Sequence, residues 1–247
     1  MKSSLIKSKT KKYELTILIP TFNEEYCIKK IIEETKSVLK QTKINYCILI
    51  SDNNSSDNTI QIASKIKGVL VNRCFKQGYG ANLLSGINKI NSKYTIFYDA
   101  DGSYNPIFVQ KLLKEIKKNK YDLVTYNRLK IQEKNSMPFL NKYFGTPLLS
   151  FLIRNIYGIQ VHDCNSGMRI FKTKTLKNLN LKCTGMEFAS EILVKLSIKN
   201  LNYKELVLKF RKDYRGRAPH LKPFSDGIRH LKYIILNMFK SKRLKFF

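Results

Sequence analysis

No stretch of this sequence is apolar enough to cross a membrane. The longest uninterrupted apolar run, Tyr46 to Ile50, has five residues, whereas a spanning helix needs about 20. The first residues, MKSSLIKSKTKKYE, are basic but carry no apolar stretch, so a secretory signal is not expected. Cysteine is sparse and unpatterned: Cys27, Cys47, Cys74, Cys164 and Cys183 are odd in number and form no C-x-x-C. That argues against a disulfide framework and suits a reducing compartment. His162, His220 and His230 form no metal-ligand spacing and are expected in surface or loop positions. There is no G-x-x-x-x-G-K-[ST] loop, and no G-x-G-x-x-G follows the first strand. On motif grounds this excludes a P-loop NTPase and a dinucleotide-binding Rossmann domain. Acid is the scarcest class: 18 Asp+Glu stand against 46 Lys+Arg, a net charge of +28. Such a surface favours an anionic partner, either nucleic acid or an acidic membrane face. Part of the excess is compositional, since Lys, Asn and Ile are all abundant.

What remains is enough for a core. The 247 residues, 43% of them hydrophobic, fit one sizeable α/β domain with a small extension. The first half alternates. Strands are expected at 13–20, 45–52, 68–73, 94–100 and 122–128, and helices at 24–40, 56–67, 79–90 and 106–119. Alternation at this spacing means a doubly wound, mostly parallel sheet with helices on both faces. The second half is less regular. Residues 137–157 and 185–199 look helical, 168–172 and 203–210 strand-like. A basic loop, 211–223, precedes a last helix from about 225 to 243. The expected division is a basic tail at 1–12, one domain at 13–224, and a basic amphipathic helix and tail at 225–247.

In open α/β sheets, ligands bind beyond the carboxyl ends of the strands. Here those ends are polar: the first strand runs into PTFNEE, the second into DNNSSDNT, the fourth into DADGS. Each alone could be a solvated turn, but together they line one crevice. Asp99 and Asp101 are the sharpest feature. Two carboxylates this close repel, so one is protonated or a cation neutralises both. A hard divalent cation backed by a phosphate does so.

The segments ILIPTFNEE, SDNNSSDNT, GYGANLLSGI, YDADGS, DCNSGMRIF and GMEFASEI occur in the order seen in glycosyltransferase family 2. Over residues 15 to 230 the chain resembles the branch of dolichyl-phosphate mannose synthase and its bacterial polyprenyl-phosphate relatives. The resemblance implies a GT-A fold, a nucleotide-sugar donor, and Mg2+ or Mn2+ at the D-x-D carboxylates Asp99 and Asp101, with Asp101 the more direct ligand. It implies that Pro20, Thr21, Glu24 and Asp99 hold the nucleotide sugar. Asp52 would meet the base or ribose, and Arg128 would lie near the phosphates. Asp163, Ser166 and Arg169 match a D-x-x-S-G-x-R segment near the acceptor. Arg215 falls in a basic loop of the family, though Ala218-Pro219-His220 replaces its Ser-Lys pair. The C-terminal membrane helices of many relatives are not seen.

A lipid phosphate acceptor is already an anion and needs little help from a base. A sugar hydroxyl acceptor wants a carboxylate base, for which Asp163 and Glu187 are the candidates. Glu187 could equally cap the helix that begins near Gly185. After Asp226 there is no acidic residue, while Ile228, Leu231, Ile235 and Met238 recur at helical spacing. This describes an interfacial helix on an anionic membrane surface, or one packed on the domain. The expected enzyme is thus an inverting hexosyltransferase using a polyprenyl phosphate, peripheral to the cytoplasmic membrane face. The competitor is a transferase with a saccharide acceptor. A nucleic-acid-binding protein is favoured by charge alone and has no motif behind it.

Overall fold

The computed structural model describes residues 9–215 and 223–240. Its centre is a seven-stranded sheet in the order β3-β2-β1-β4-β6-β5-β7. The strands are β1 (Leu15–Thr21), β2 (Tyr46–Asp52), β3 (Val69–Arg73), β4 (Tyr94–Phe97), β5 (Leu123–Asn127), β6 (Arg169–Lys172) and β7 (Tyr203–Val207). All run parallel except β6, which is antiparallel to both β4 and β5. The helices are α1 (Glu25–Lys40), α2 (Thr59–Lys65), α3 (Tyr79–Ile87), α4 (Val109–Lys118), α5 (Thr146–Tyr157), α6 (Thr173–Asn178), α7 (Phe188–Ile198) and α8 (Pro223–Leu236). A π-helical turn, Asn141–Gly145, leads into α5.

The strands are apolar on both sides because both faces are covered. Ile17, Ile19, Ile48, Ile50, Ile96 and Val124 face the layer that holds α1 and α4. Leu18, Leu49, Phe97, Leu123 and Phe171 face the layer of α3, α5 and α7. The strict alternation follows from the two-residue side-chain period of a strand.

Three sequence expectations change. The fourth strand ends at Phe97 rather than at 100, since β1 pairs with β4 only as far as Leu18↔Phe97. Asp99 and Asp101 therefore stand in a loop, free of the ladder. The end of the N-terminal tail is docked: Thr10 is fully buried, donates to the Lys89 carbonyl and accepts from the Asn91 amide. Of the two arrangements open to the last helix, packing on the domain through its apolar stripe is not the one seen. Ile234 and His230 are its buried residues, while Ile228, Leu231 and Ile235 are exposed. The Tyr157 hydroxyl donates to the Ile234 carbonyl at 2.6 Å and pins that orientation. The remaining expectations for 1–8, for Ala218-Pro219-His220, and for the end of the basic tail lie outside the described residues.

The start of α3 touches the 183–185 segment so closely that only glycine fits. A Cβ on Gly80 would stand 2.3 Å from the Cys183 carbonyl oxygen and 2.9 Å from the Phe188 Cβ. Alanine normally favours a helix by about 1 kcal/mol over glycine. Here overpacking, worth roughly 1–3 kcal/mol, should reverse the sign. Gly80→Ala is expected to lower stability in urea unfolding, and a stabilised variant would show that this contact yields.

Candidate active site

The polar loops after β1, β2 and β4 meet the segments around residues 137, 166, 186 and 213 and the start of α8. Between them lies a cleft of about 730 Å³. Of the residues singled out from sequence, Pro20, Thr21, Glu24, Asp99, Asp101, Arg128, Ser166 and Arg215 line it. Asp101 is 6% exposed. Its Oδ1 accepts from the Ser103 amide and hydroxyl at 2.9 and 2.6 Å, which fixes the tight turn after it. Its Oδ2 accepts from Arg215 Nη2 at 2.6 Å, and Arg215 Nη1 lies 3.4 Å from Glu24 Oε1. Burial works against the Arg215 charge, but Asp101 and Glu24 outweigh it and raise the guanidinium pKa.

Asp99 is partly open to the cleft. It accepts from the Tyr79 hydroxyl at 3.2 Å. Its surroundings, and then the charge of Asp101, push its carboxyl up to about 6, against the pull of Arg215 and Arg128. Gly167 leaves Asp99 the room it occupies, because a Cβ there would fall 2.4 Å from Asp99 Oδ2. Arg215 is held over the pair by its own segment. Tyr214 donates its amide to the Asp101 carbonyl at 2.7 Å and its hydroxyl to Glu34 at 2.7 Å. Arg211 donates to the Gly102 carbonyl and pairs with Glu34 at 2.6 Å.

These oxygen donors suit a hard cation. Among the described residues no group of three or more His, Cys, Asp or Glu could hold a metal by itself. Mg2+ sites commonly take one or two carboxylates and complete their shell with water and substrate phosphates. Asp101, which already holds the Arg215 guanidinium, with Asp99 beside it, fits that pattern.

The sequence matches the description "Glycosyl transferase family 2" over residues 16–179. The chain belongs to this family. It is 32% identical over 224 residues to the low-salt glycan biosynthesis hexosyltransferase Agl6 of Haloferax volcanii, covering 90% of this chain and 53% of that protein. It thus spans about half the length of that relative. It is 26% identical to the dolichyl-phosphate hexose transferase of the same organism, over 87% of this chain and 89% of the other. Among solved structures, glucosyl-3-phosphoglycerate synthase of Mycobacterium tuberculosis, held with Mn2+ and UDP, matches with a TM-score of 0.70 at 17% identity. That match covers 96% of this chain and 84% of the synthase. The likeness shows that this family 2 chain has the GT-A fold, as its one antiparallel strand within a parallel sheet suggests.

Four residues expected in this family 2 site stand behind the cleft wall. Asp52 is fully buried, accepting from the Thr21 hydroxyl at 3.1 Å and from the Ser55 amide at 2.9 Å. It ties the DNNSS turn to β1 rather than presenting an oxygen to a ribose. Asn53 and Gln77 line the wall in front of it. Asp163 is 0% exposed and forms a two-pronged pair with Arg128, Nε to Oδ2 at 2.7 Å and Nη2 to Oδ1 at 2.8 Å. It therefore stands as the counter-ion that aims Arg128, with no oxygen left for a base. Arg169 is fully buried, and its guanidinium donates to the Cys164 and Ala189 carbonyls. It braces the loop that carries Ser166, whose own hydroxyl has no partner among the described residues. Glu187 occupies the cap position of α7 without capping it, and its Oε1 accepts from the Gly185 amide at 3.2 Å.

Other wall residues were not foreseen. Asn82 donates to the Ser51 and Thr21 carbonyls at 2.8 and 3.3 Å, joining the ends of β1 and β2, while its Oδ1 has no partner among the described residues. The segment GYGANLLSGI held the signal, a lone amide among small and apolar helix residues. Arg229 and His230 also line the cleft. The expectation that His230 is a surface residue fails: it is 4% exposed and shares a 2.7 Å hydrogen bond with the Ser190 hydroxyl.

Two outcomes follow from these buried groups. Breaking one side of an enclosed ion pair costs roughly 3–5 kcal/mol. Asp163→Asn should therefore destabilise the protein by about that amount in chemical denaturation, and full stability would mean that Arg128 has another counter-ion. His230 has its pKa pushed from the ordinary 6.5 down to about 4, first by burial and then by Arg169. The folded protein thus binds fewer protons there than the unfolded chain. The stability this gives is present above pH 6.5 and is lost as the pH falls toward 4. The full loss is on the order of 3 kcal/mol. His230→Gln should flatten that part of the pH–stability curve, and an identical curve would remove His230 from the acid response.

Proposed function

We propose that this protein transfers a hexose, with inversion, from a nucleoside diphosphate sugar to a polyprenyl phosphate at the cytoplasmic face of a membrane. The observation that carries the acceptor class is the state of Asp163. Both of its oxygens are committed to Arg128 and none faces the cleft. An acceptor that must first lose a proton finds no help there, whereas a phosphate monoester arrives as an anion. Residues 13–224 form the catalytic unit in this reading, and 225–247 the part that meets the membrane. Relatives acting on dolichyl phosphate support it.

Asp101 and Asp99 would hold Mg2+ or Mn2+. When bound, the cation would supply charge neutralisation for the diphosphate as it leaves. The side chains of this chain do the remaining work. Thr21, Glu24 and Asn53 line the end of the cleft where the nucleotide would lie. Arg128, aimed by Asp163, would place a positive charge beside the phosphates, where negative charge develops in the transition state. Ser166 would offer its unpaired hydroxyl to the acceptor. One bond forms, from an acceptor phosphate oxygen to the anomeric carbon, as the bond from that carbon to the diphosphate breaks. No proton has to move. A saccharide hydroxyl acceptor is the second reading, favoured by Asp226, a further carboxylate in the cleft wall.

Incubating the protein with a panel of labelled nucleotide sugars and a lipid extract distinguishes the two. A mild-acid-labile lipid phosphate sugar is expected, and label appearing only in saccharide would sink the lipid reading. Asp101→Asn keeps the shape of the turn and removes the charge. It should lower kcat by roughly 10²–10³-fold at a temperature where the variant, weakened by the loss of its pair with Arg215, is still folded by circular dichroism, and near-normal metal-dependent turnover would contradict the assignment. Arg215 and a divalent cation compete for the same Asp101 oxygen. Arg215→Ala should accordingly tighten Mn2+ binding without donor by roughly fivefold or more, since even an exposed charge pair is worth up to about 1 kcal/mol and this one is largely enclosed. Calorimetry showing equal or weaker binding would mean that the guanidinium does not occupy the cation's place.

A further inference from the structure

A large apolar surface borders the mouth of the cleft and is covered by nothing among the described residues. In the π-helical turn, α5 and the residues just before them, Phe139, Leu140, Tyr143, Phe144, Leu148 and Phe151 are each more than half exposed. The rings cluster on the outside: Phe139 lies 4.8 Å from Tyr143 and 6.1 Å from Phe144 between centroids. α8 packs against the same turn. It presents Phe224 at 80%, Ile228 at 65% and Ile235 at 47% exposure, with Phe239 at 78% just beyond it. Monomeric proteins rarely leave apolar side chains contiguous on this scale without a partner. Asn141, Gly145 and Leu149 on one side, and Ser225, Gly227 and His230 on the other, line the cleft itself. The two apolar stripes therefore flank its opening.

The charge around the patch has one sign. From Lys134 to His162 the sequence contains no acidic residue, and none follows Asp226. Lys142 lies over the Tyr143 ring at 5.0 Å, on the rim of the aromatic cluster. A second copy of this chain would bring the same cationic rim and another +28 charges against it, which opposes self-association. An apolar stripe with a cationic border matches an anionic lipid interface, where rings and leucines enter the acyl boundary and lysines stay among the headgroups.

We infer that residues 139–151 form a second membrane-docking arm beside α8, and that the cleft opens between the two arms onto an anionic bilayer. The inference rests on the lipid-acceptor reading for its purpose, since it would deliver the acceptor phosphate directly from the headgroup layer. It does not rest on that reading for binding, which needs no acceptor. The arm is a separate element from the basic C-terminal tail. Its contribution comes from apolar insertion and so resists salt, whereas attraction by the tail fades as charges are screened.

The test uses the full chain and vesicles of phosphatidylcholine with phosphatidylglycerol, without polyprenyl phosphate. The double variant Phe144→Ser/Leu148→Ser alters two exposed side chains and leaves α8 and the tail intact. Its partitioning onto these vesicles should fall by roughly tenfold or more, with circular dichroism and unfolding unchanged. The chain has no tryptophan, so Phe144→Trp provides a single reporter. Its emission should shift to the blue on vesicles and be quenched by brominated lipid. A tryptophan at Tyr26, on α1 across the sheet and 79% exposed, should not respond. A double variant that sediments like the parent, a parent that ignores anionic vesicles, or an unquenched Trp at 144 each overturns the inference. So does a parent that is a dimer where the double variant is a monomer, because the patch is then an interface between copies. If the arm binds as expected but no lipid phosphate is glycosylated, the activity reading fails and the docking surface stands.

Discussion

The ion pair between Arg215 and Asp101 governs this structure's functional edge. Two carboxylates at the end of β4 cannot both stay charged in a half-buried cleft without a cation, and here a guanidinium provides the positive charge at 2.6 Å. Much else serves that arrangement. Ser103 holds the far oxygen of Asp101, Gly167 leaves room for Asp99, and Tyr214 and Arg211 strap the Arg215 segment across the DADGS turn through Glu34. Arg215 neutralises Asp101 and ties the 211–215 segment to the DADGS turn.

The second constraint is β6. One antiparallel strand between β4 and β5 reverses the chain, so that the loop preceding it, Asp163 to Gly167, arrives at the same edge as the parallel strand ends. The reversal needs internal support, because the loop carries polar backbone into a buried region. Arg169 provides it by donating to two carbonyls, and Asp163 provides it by gripping Arg128. Buried charges in this fold are mostly bracing. Asp99, Asp101, Arg128 and Arg215, by contrast, line the cleft.

The third feature is asymmetric. One lip of the cleft is made of strand-end loops with hydroxyls, amides and carboxylates. The other is made of two helical segments whose outward faces are aromatic and aliphatic with a basic rim. A donor that is a soluble polyanion and an acceptor that is an amphiphile would approach such a cleft from opposite sides.

Much of this was legible in the chain. The alternating apolar runs of the first half specify a parallel sheet covered on both faces, since period and burial leave little choice of arrangement. The ordered motifs marked the family and the edge where the site would lie. Asp99 and Asp101 stood out because adjacent carboxylates in so basic a chain require an explanation. What the sequence could not separate was a side chain that faces the cleft from one that holds up its wall. Asp52, Asp163 and Arg169 share motifs with true wall residues, yet each is turned inward to satisfy a neighbouring loop. His230 looked like a surface residue until helix α8 packed on the face beside its apolar stripe, and that same packing left the stripe exposed. The reason is physical. Apolar periodicity is a property of one helix or strand, and it survives in any tertiary context. The direction of a polar side chain depends on which unsatisfied group another part of the chain brings within about 3 Å of it, and only the folded structure decides that.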